Sequence, residues 1–158
     1  MEDYFIKYGG YLPILLIPTV MLTDFSDKIK LIIILCLLID SMVNPIFKKI
    51  VTKIGYQSPR PKCADLTPGF SCYGMPSGHT ELCWLLLTIL TLIYYNNNGF
   101  EKKQNLIIYG IAVIITVLTM YHRYVAKMHS ISQIVAGMII GSALGGLIYH
   151  FIIKNQKF

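Results

Sequence analysis

Long apolar runs separated by short polar stretches dominate the chain. Four of them carry at most two charged residues each and reach about 20 residues, the length that spans a bilayer as a helix: residues 29–47, 79–95, 106–124 and 131–153. A fifth run, residues 4–23, contains Lys7 and two prolines, so we expect it to be kinked or only partly inserted. The pattern predicts an all-α, polytopic membrane bundle of about five transmembrane helices, folded as a single domain over residues 1–158.

The composition supports a membrane protein and excludes several other classes. Of the 158 residues, 54% are hydrophobic and only 14% are charged, whereas a soluble domain carries about 25% charged residues. Too little charge remains to cover a water-facing surface, which excludes a sizeable extramembrane domain, a disordered protein and a coiled coil. The net charge of +6 is scattered between apolar runs with no basic stripe, so we expect no nucleic-acid partner.

The longest connection, residues 48–78, lies between the second and third runs and holds four prolines. A loop of this length in so small a protein is usually functional. Because successive crossings alternate sides, the end of the second run, the start of the third, the end of the fourth and the start of the fifth share one membrane face. The polar residues of chemical interest all lie on that face: Lys53, Arg60, Ser77, His79, Arg123 and His129.

The residues on this face predict an anion site. They comprise three cationic side chains, two histidines and a Pro-Ser-Gly-His turn at the start of a helix. Backbone N–H groups near Ser77 and Gly78 would point at the ligand, aided by the helix dipole, and arginines can each grip a phosphate with two hydrogen bonds. No carboxylate cluster or Cys/His spacing is typical of a metal site, so we expect neither metal nor cofactor. The simpler interpretation is that the basic residues merely flank membrane helices and that the histidines lie at interfaces. The convergence of all six polar residues on one membrane face favours a site instead.

The motifs on this face resemble those of the type 2 phosphatidic acid phosphatase family, integral-membrane lipid phosphatases related to vanadium haloperoxidases. The first family motif, a Lys and an Arg-Pro pair separated by six residues, occurs at residues 53–61. The second, Pro-Ser-Gly-His, is intact at residues 76–79. The third, Ser-Arg and a His and Asp further on, is matched in part at residues 122–133. The motifs occur in order, each at the expected helix boundary.

The resemblance implies a metal-independent phosphatase that acts on a membrane lipid phosphate or diphosphate, of the phosphatidate or polyprenyl type. In that mechanism His129 is the nucleophile, forming a phosphohistidine that water then hydrolyses, and His79 is the general acid for the leaving group. The resemblance also implies five phosphate-binding residues: Lys53, Arg60, Ser77, Gly78 and Arg123.

The third motif departs from the family pattern at two positions, where His122 replaces the Ser and Gln133 replaces the Asp. Gln133 lies four residues after His129 on the same helical face, and its carbonyl can accept the imidazole N–H although it brings no charge. The enzyme is therefore slow, or another acid such as Glu81 substitutes, or catalysis is lost. In the last case the chain would be an anionic-lipid-binding or scaffold membrane protein. A channel or transporter has little support, because the charged residues cluster at helix ends.

The four cysteines divide by environment. Cys36 and Cys83 lie within apolar runs and are expected to be inert, whereas Cys63 and Cys72 bracket the long loop. A disulfide between Cys63 and Cys72 would stiffen the loop and would suit an oxidising compartment. We therefore expect the site on the luminal or extracytoplasmic face of the membrane.

Two features inside the apolar runs concern packing. Asp40 is an acid within the second run and is expected to hydrogen-bond with a neighbouring helix. Glycines repeat every four residues in the last run, at Gly137, Gly141 and Gly145, which predicts close approach of another helix.

Overall fold

The structure, a computed structural model, describes residues 9–53, 59–63 and 74–156. Residues 4–8 of the first apolar run and Cys72 lie outside these ranges. A 3₁₀ segment, Gly9–Leu15, leads into the first of five α-helices: α1 (Leu16–Met21), α2 (Asp27–Lys53), α3 (Gly78–Asn96), α4 (Lys103–Val125) and α5 (Ile131–Ile148). A π-helical turn, Tyr149–Ile153, continues α5.

Four of these helices are long and apolar enough to cross a membrane, namely Asp27–Val51, Gly78–Asn96, Lys103–Val125 and Ile131–Ile153. The apolar N-terminal segment Gly9–Met21 is shorter than a membrane span. The predicted all-α membrane bundle is therefore confirmed, with four spans and one short apolar helix in the part of the chain that the structure describes. Large apolar side chains, including Met42, Ile114 and Ile139, are exposed on the outer faces, as lipid contact requires.

Helix α5 packs backbone to backbone against α3. A Cβ atom at Gly137, Gly141 or Gly145 would meet a main-chain carbonyl oxygen of α3 or of the residue before it. The oxygens concerned belong, in that order, to Ser77, Glu81 and Leu85. The glycine repeat therefore lies at the predicted close helix contact, and it fixes the start of α3 against the start of α5.

The membrane face away from the long loop is closed by aromatic packing. Tyr94, near the end of α3, is buried and lies with its ring centroid 5.4 Å from those of both Phe25 and Phe100. On the same side, Lys102 donates to Asp24 at 2.7 Å. This end is a packed core with a surface ion pair.

Candidate active site

The turn between α4 and α5 folds His129 back onto Arg123. The backbone N–H groups of Met128 and His129 both donate to the carbonyl oxygen of Arg123, at 3.1 Å each, and Lys127 adopts a left-handed conformation with φ of 52°. As a result, Nη2 of Arg123 lies 3.4 Å from Nε2 of His129. Both side chains are buried.

The other ring nitrogen of His129 is held by Gln133. Nδ1 of His129 lies 3.1 Å from Oε1 of Gln133, and the same oxygen accepts the backbone N–H of Ser130 at 3.2 Å. Nε2 of Gln133 donates to the carbonyl oxygen of Pro59 at 3.0 Å. Because the Ser130 N–H can only donate and the Pro59 carbonyl can only accept, the amide has one satisfactory orientation. Oε1 therefore faces His129, so Nδ1 carries the proton and Nε2 keeps its lone pair.

The start of α5 is itself anchored to the start of α3. Ser130 and Gln133 form a capping box, in which the side chain of each residue accepts the backbone N–H of the other. The carbonyl oxygen of Gln133 accepts the backbone N–H of Ser77 at 3.0 Å. A side chain at Gly74 would collide with the Gln133 amide, so this glycine permits the close approach.

Ser77 is fully buried behind the site. Its N–H is bonded to Gln133, and its hydroxyl accepts from Thr80 at 3.0 Å. The sequence led us to expect the Ser77 N–H to point at a ligand, but the structure uses it to join two helices. Gly78, in contrast, lines a cavity together with His79, Arg123 and His129.

A cavity of about 510 Å³ joins the histidines and arginines to an apolar space between helices. Its polar end is lined by Lys48, Arg60, Gly78, His79, Arg123 and His129. The apolar walls come from the N-terminal segment and α2, and include Ile14, Ile17, Leu37 and Leu38. A charged end continuous with an apolar slot matches the shape of an amphiphile.

The two arginines are oriented as if for an anion. Nε of Arg60 and Nε of Arg123 are buried, and neither has a hydrogen-bond partner among the residues that the structure describes. Both arginines line the cavity, where the other guanidinium N–H groups can donate to an anion. Burial, followed by the positive charges of Arg123 and Arg60, lowers the pKa of His129 to about 2. The imidazole is therefore neutral at pH 7.

His79 lies half-buried in the first turn of α3 and interacts with the backbone of Gly10. His122, which stands at the motif serine, is buried, and its ring packs against Gly9 so closely that any side chain there would collide. The N-terminal segment thus packs over His79 and His122 through Gly10 and Gly9.

The structure does not bring every predicted residue to the cavity. Lys53 is the last residue of α2, where it is exposed, and it does not line the cavity. Lys48, which the motifs did not indicate, does line it. A signal for Lys48 was available, because it lies at spacings of four and eight residues from Asn44 and Asp40, on one polar face of an apolar helix.

Glu81 does not replace the motif acid. Its carboxylate accepts from Nδ2 of Asn44 at 2.5 Å and also interacts with Asp40, whereas Nδ1 of His129 is bonded to Gln133. The prediction that Asp40 bonds to a neighbouring helix agrees with this contact between α2 and α3.

The described part of the long loop is also tied to the site. The N–H of Lys62 donates to the carbonyl oxygen of Lys127 at 3.1 Å, which fastens the loop to the turn before α5. Cys63 is disulfide-bonded, while Cys36 and Cys83 are free thiols. Cys72 lies outside the described residues, so its pairing with Cys63 stays a prediction.

Comparison with known proteins now identifies the family. A model of the PAP2 superfamily matches residues 29–157, which is most of the chain and includes all three motifs. The chain belongs to the PAP2 superfamily. It is an integral-membrane member, and five of its motif residues line the cavity: Arg60, Gly78, His79, Arg123 and His129.

One solved structure is similar over nearly the whole chain. It is the crystal structure described as the first transmembrane PAP2 type phosphatidylglycerolphosphate phosphatase from Bacillus subtilis, with a TM-score of 0.68 and 22% sequence identity. The match covers 99% of this chain and 79% of that one, and it supports the PAP2 membrane fold. No curated protein matches the chain.

Proposed function

We propose that this PAP2 protein is a phosphatase that removes phosphate from a lipid phosphate or diphosphate through a phosphohistidine on His129. The observation that carries the proposal is the state of the His129 ring. Gln133 holds the proton on Nδ1, so Nε2 keeps its lone pair, toward which Nη2 of Arg123 donates a long hydrogen bond of 3.4 Å at the polar end of the cavity. A neutral, oriented imidazole is the nucleophilic form that attack on phosphorus requires.

In the first step Nε2 of His129 forms a bond to phosphorus, and the bond from phosphorus to the lipid oxygen breaks. His79, in the same cavity, gives a proton to that leaving oxygen as general acid. Arg60 and Arg123 bind the non-bridging oxygens and offset their charge. In the second step the deprotonated His79 takes a proton from the attacking water, the oxygen of that water bonds to phosphorus as the bond from phosphorus to Nε2 of His129 breaks, and inorganic phosphate leaves with both imidazoles restored.

The apolar walls support a lipid substrate. With its phosphate at Arg60 and Arg123, a substrate would lay its chain along Ile14, Ile17 and Leu38, which are partly open to the bilayer side. A lipid chain is already in apolar surroundings in the bilayer, so the slot would select it by shape and van der Waals contact rather than by transfer from water. Phosphatidate, phosphatidylglycerolphosphate and a polyprenyl diphosphate all fit this description.

The test is phosphate release by the protein purified in detergent, from a panel of these lipids, with a chelator present. We expect chelator-resistant release that His129→Ala abolishes, together with loss of a covalent phosphoenzyme trapped by rapid acid quench. Release that survives His129→Ala would overturn the mechanism. Lipid binding without release by either protein would instead support a non-catalytic, lipid-binding or scaffold role, the alternative that the Gln133 replacement favours.

We also propose that the polar end of the cavity faces an oxidising, extracytoplasmic compartment. The disulfide at Cys63 supports that orientation, since Cys63 lies three residues after Arg60, which lines this end of the cavity. A cysteine introduced at the exposed Lys127 should react with a membrane-impermeant maleimide added to intact cells. Labelling only after the cells are opened would contradict the orientation.

A further inference from the structure

We infer that Lys48 is a third cation of the phosphate site, placed there by a polar contact between α2 and α3. No family motif contains this residue, and the inference rests on the proposed phosphatase function. Lys48 takes the position in the cavity that the sequence motif had suggested for Lys53.

The placement follows from the geometry of α2. Asp40, Asn44 and Lys48 are spaced four residues apart and therefore share one face of the helix. Asn44 and Lys48 line the cavity together with Arg60, Arg123 and His129. Lys53 lies five residues beyond Lys48, which at 3.6 residues per turn rotates it by roughly 140° around the helix, and it is exposed.

A hydrogen bond between helices fixes this face of α2. Nδ2 of Asn44 donates to Oε2 of Glu81 at 2.5 Å, and both side chains are buried. Gly78 lets the Asn44 side chain approach α3, since a Cβ atom at that position would lie 2.6 Å from Oδ1 of Asn44. The register of α2 against α3, and with it the depth of Lys48, is therefore set one helical turn away from the lysine.

The charges around Lys48 favour an anion between them. Lys48 interacts electrostatically with Arg60 and Arg123, both of which repel it, and with Glu81, which attracts it. Lys48, Arg60 and Arg123 thus bring three cationic side chains to the lining of one cavity, among the residues that the structure describes. A phosphate group with two negative charges offsets this positive charge. The ammonium of Lys48 would bind a non-bridging oxygen as a compact point charge.

This arrangement assigns different roles to the two sides of the cavity. Arg123 and His129 lie at the turn between α4 and α5, whereas Lys48 comes from α2, which also forms the apolar wall. A substrate whose chain lies along α2 would therefore meet a cation on the same helix as its phosphate enters.

The experiment compares Lys48→Met with Lys48→Arg and with Lys49→Met, whose lysine is exposed on the same helix and does not line the cavity. Methionine keeps an unbranched apolar stem and removes only the charge. The readouts are kcat/KM for phosphate release from phosphatidate and the concentration of inorganic phosphate that halves the rate. Thermal unfolding in detergent confirms that each variant is folded.

For Lys48→Met we expect kcat/KM to fall roughly 10- to 100-fold and the inhibitory phosphate concentration to rise by a similar factor, because one charged hydrogen bond to phosphate is lost. Lys48→Arg should recover part of both effects, and Lys49→Met should match the wild type. Wild-type values for both readouts in a folded Lys48→Met protein would overturn the inference. So would a loss of kcat/KM with unchanged inhibition by phosphate, which indicates a merely structural role.

Failure of this inference can be told apart from failure of the proposed function. Release that depends on His129 but not on Lys48 rejects the role of Lys48 alone. If kcat/KM falls strongly in Lys53→Met while Lys48→Met keeps the wild-type value, the motif lysine Lys53 binds the phosphate instead of Lys48. Absence of His129-dependent release in the unmodified protein rejects both proposals together.

Discussion

Two halves of the bundle are built differently. Helices α3 and α5 meet through glycines, with backbone against backbone at Gly137, Gly141 and Gly145. Helix α2 joins the rest mainly through side chains and leaves a cavity of about 510 Å³ between itself, the N-terminal segment and α3. The half formed by α3 and α5 is close-packed and is called the rigid half below. The half that contains α2 encloses a cavity and is called the open half.

The proposed chemistry divides along the same line. His79, His129 and Gln133 stand at the ends of α3 and α5, where the capping box and the Ser77 to Gln133 hydrogen bond hold them. Attack on phosphorus demands reacting groups fixed within a fraction of an ångström, which close backbone packing provides. The slot beside α2 must instead accept a flexible lipid chain.

Removing the amide that orients the nucleophile should have the largest effect. Gln133→Leu deletes the acceptor for Nδ1 of His129 and the donor to Pro59, so the ring is free to adopt the other tautomer. We expect kcat to fall roughly 10³- to 10⁴-fold, by analogy with loss of tautomer control in a serine-protease triad, with KM little changed. Steady-state phosphate release checks this.

Gln133→Glu is the matched control for that change. It keeps an acceptor facing His129 and Ser130 and adds negative charge, which raises the pKa of His129, but it places a second oxygen against the Pro59 carbonyl. We expect more activity than in Gln133→Leu. Equal activity in the two variants would mean that the acceptor at Nδ1 does not matter.

A methyl group in the α3–α5 contact should have the next largest effect. Gly141→Ala places a Cβ atom against the Glu81 carbonyl oxygen, so the helices must separate, at a cost of about 1–3 kcal/mol in the free energy of unfolding. Gly146→Ala is the control, because no atom lies within 4 Å of its Cβ position, and better helix propensity should stabilise it slightly. The unfolding temperatures of the two variants in detergent, each compared with the wild type, test this prediction. Equal stability would show that the contact is not tight.

Filling the slot beside α2 should change selectivity more than stability. Leu38→Trp narrows the apolar wall, and we expect kcat/KM for a long-chain lipid phosphate to fall roughly 10-fold. Hydrolysis of a short-chain, soluble phosphate ester should be nearly unchanged, since the rigid half is untouched. Leu35→Trp is the control, as Leu35 is exposed on the same helix without lining the cavity. Equal losses for both substrates would place the lipid chain elsewhere.

The sequence predicted the rigid half better than the open half. Apolar length, the glycine repeat and the motif spacing are local or periodic signals. They indicated the four long spans, a close helix contact along the last span without its partner, and the shared membrane face of His129 and Arg123. The orientation of the Gln133 amide depends on Pro59, 74 residues away, and no local pattern encodes that contact. The depth of Lys48 depends likewise on how α2 and α3 are aligned, which Asn44 and Glu81 decide.

The smallest effect is expected at the end of the bundle away from the cavity. The Lys102 ammonium, by hydrogen bond and charge, lowers the pKa of Asp24 below its ordinary 3.8. An acid with a lowered pKa stabilises the fold above pH 3.8 and loses that contribution as the pH falls through the lowered value. Lys102→Ala should therefore reduce the free energy of unfolding at pH 7 by less than about 1 kcal/mol, since the pair is exposed. The difference from wild type should shrink in acid, while kcat/KM stays unchanged at pH 7. A loss of activity in Lys102→Ala would show that this end is coupled to the site, and that the division into a rigid and an open half misses a connection through α4.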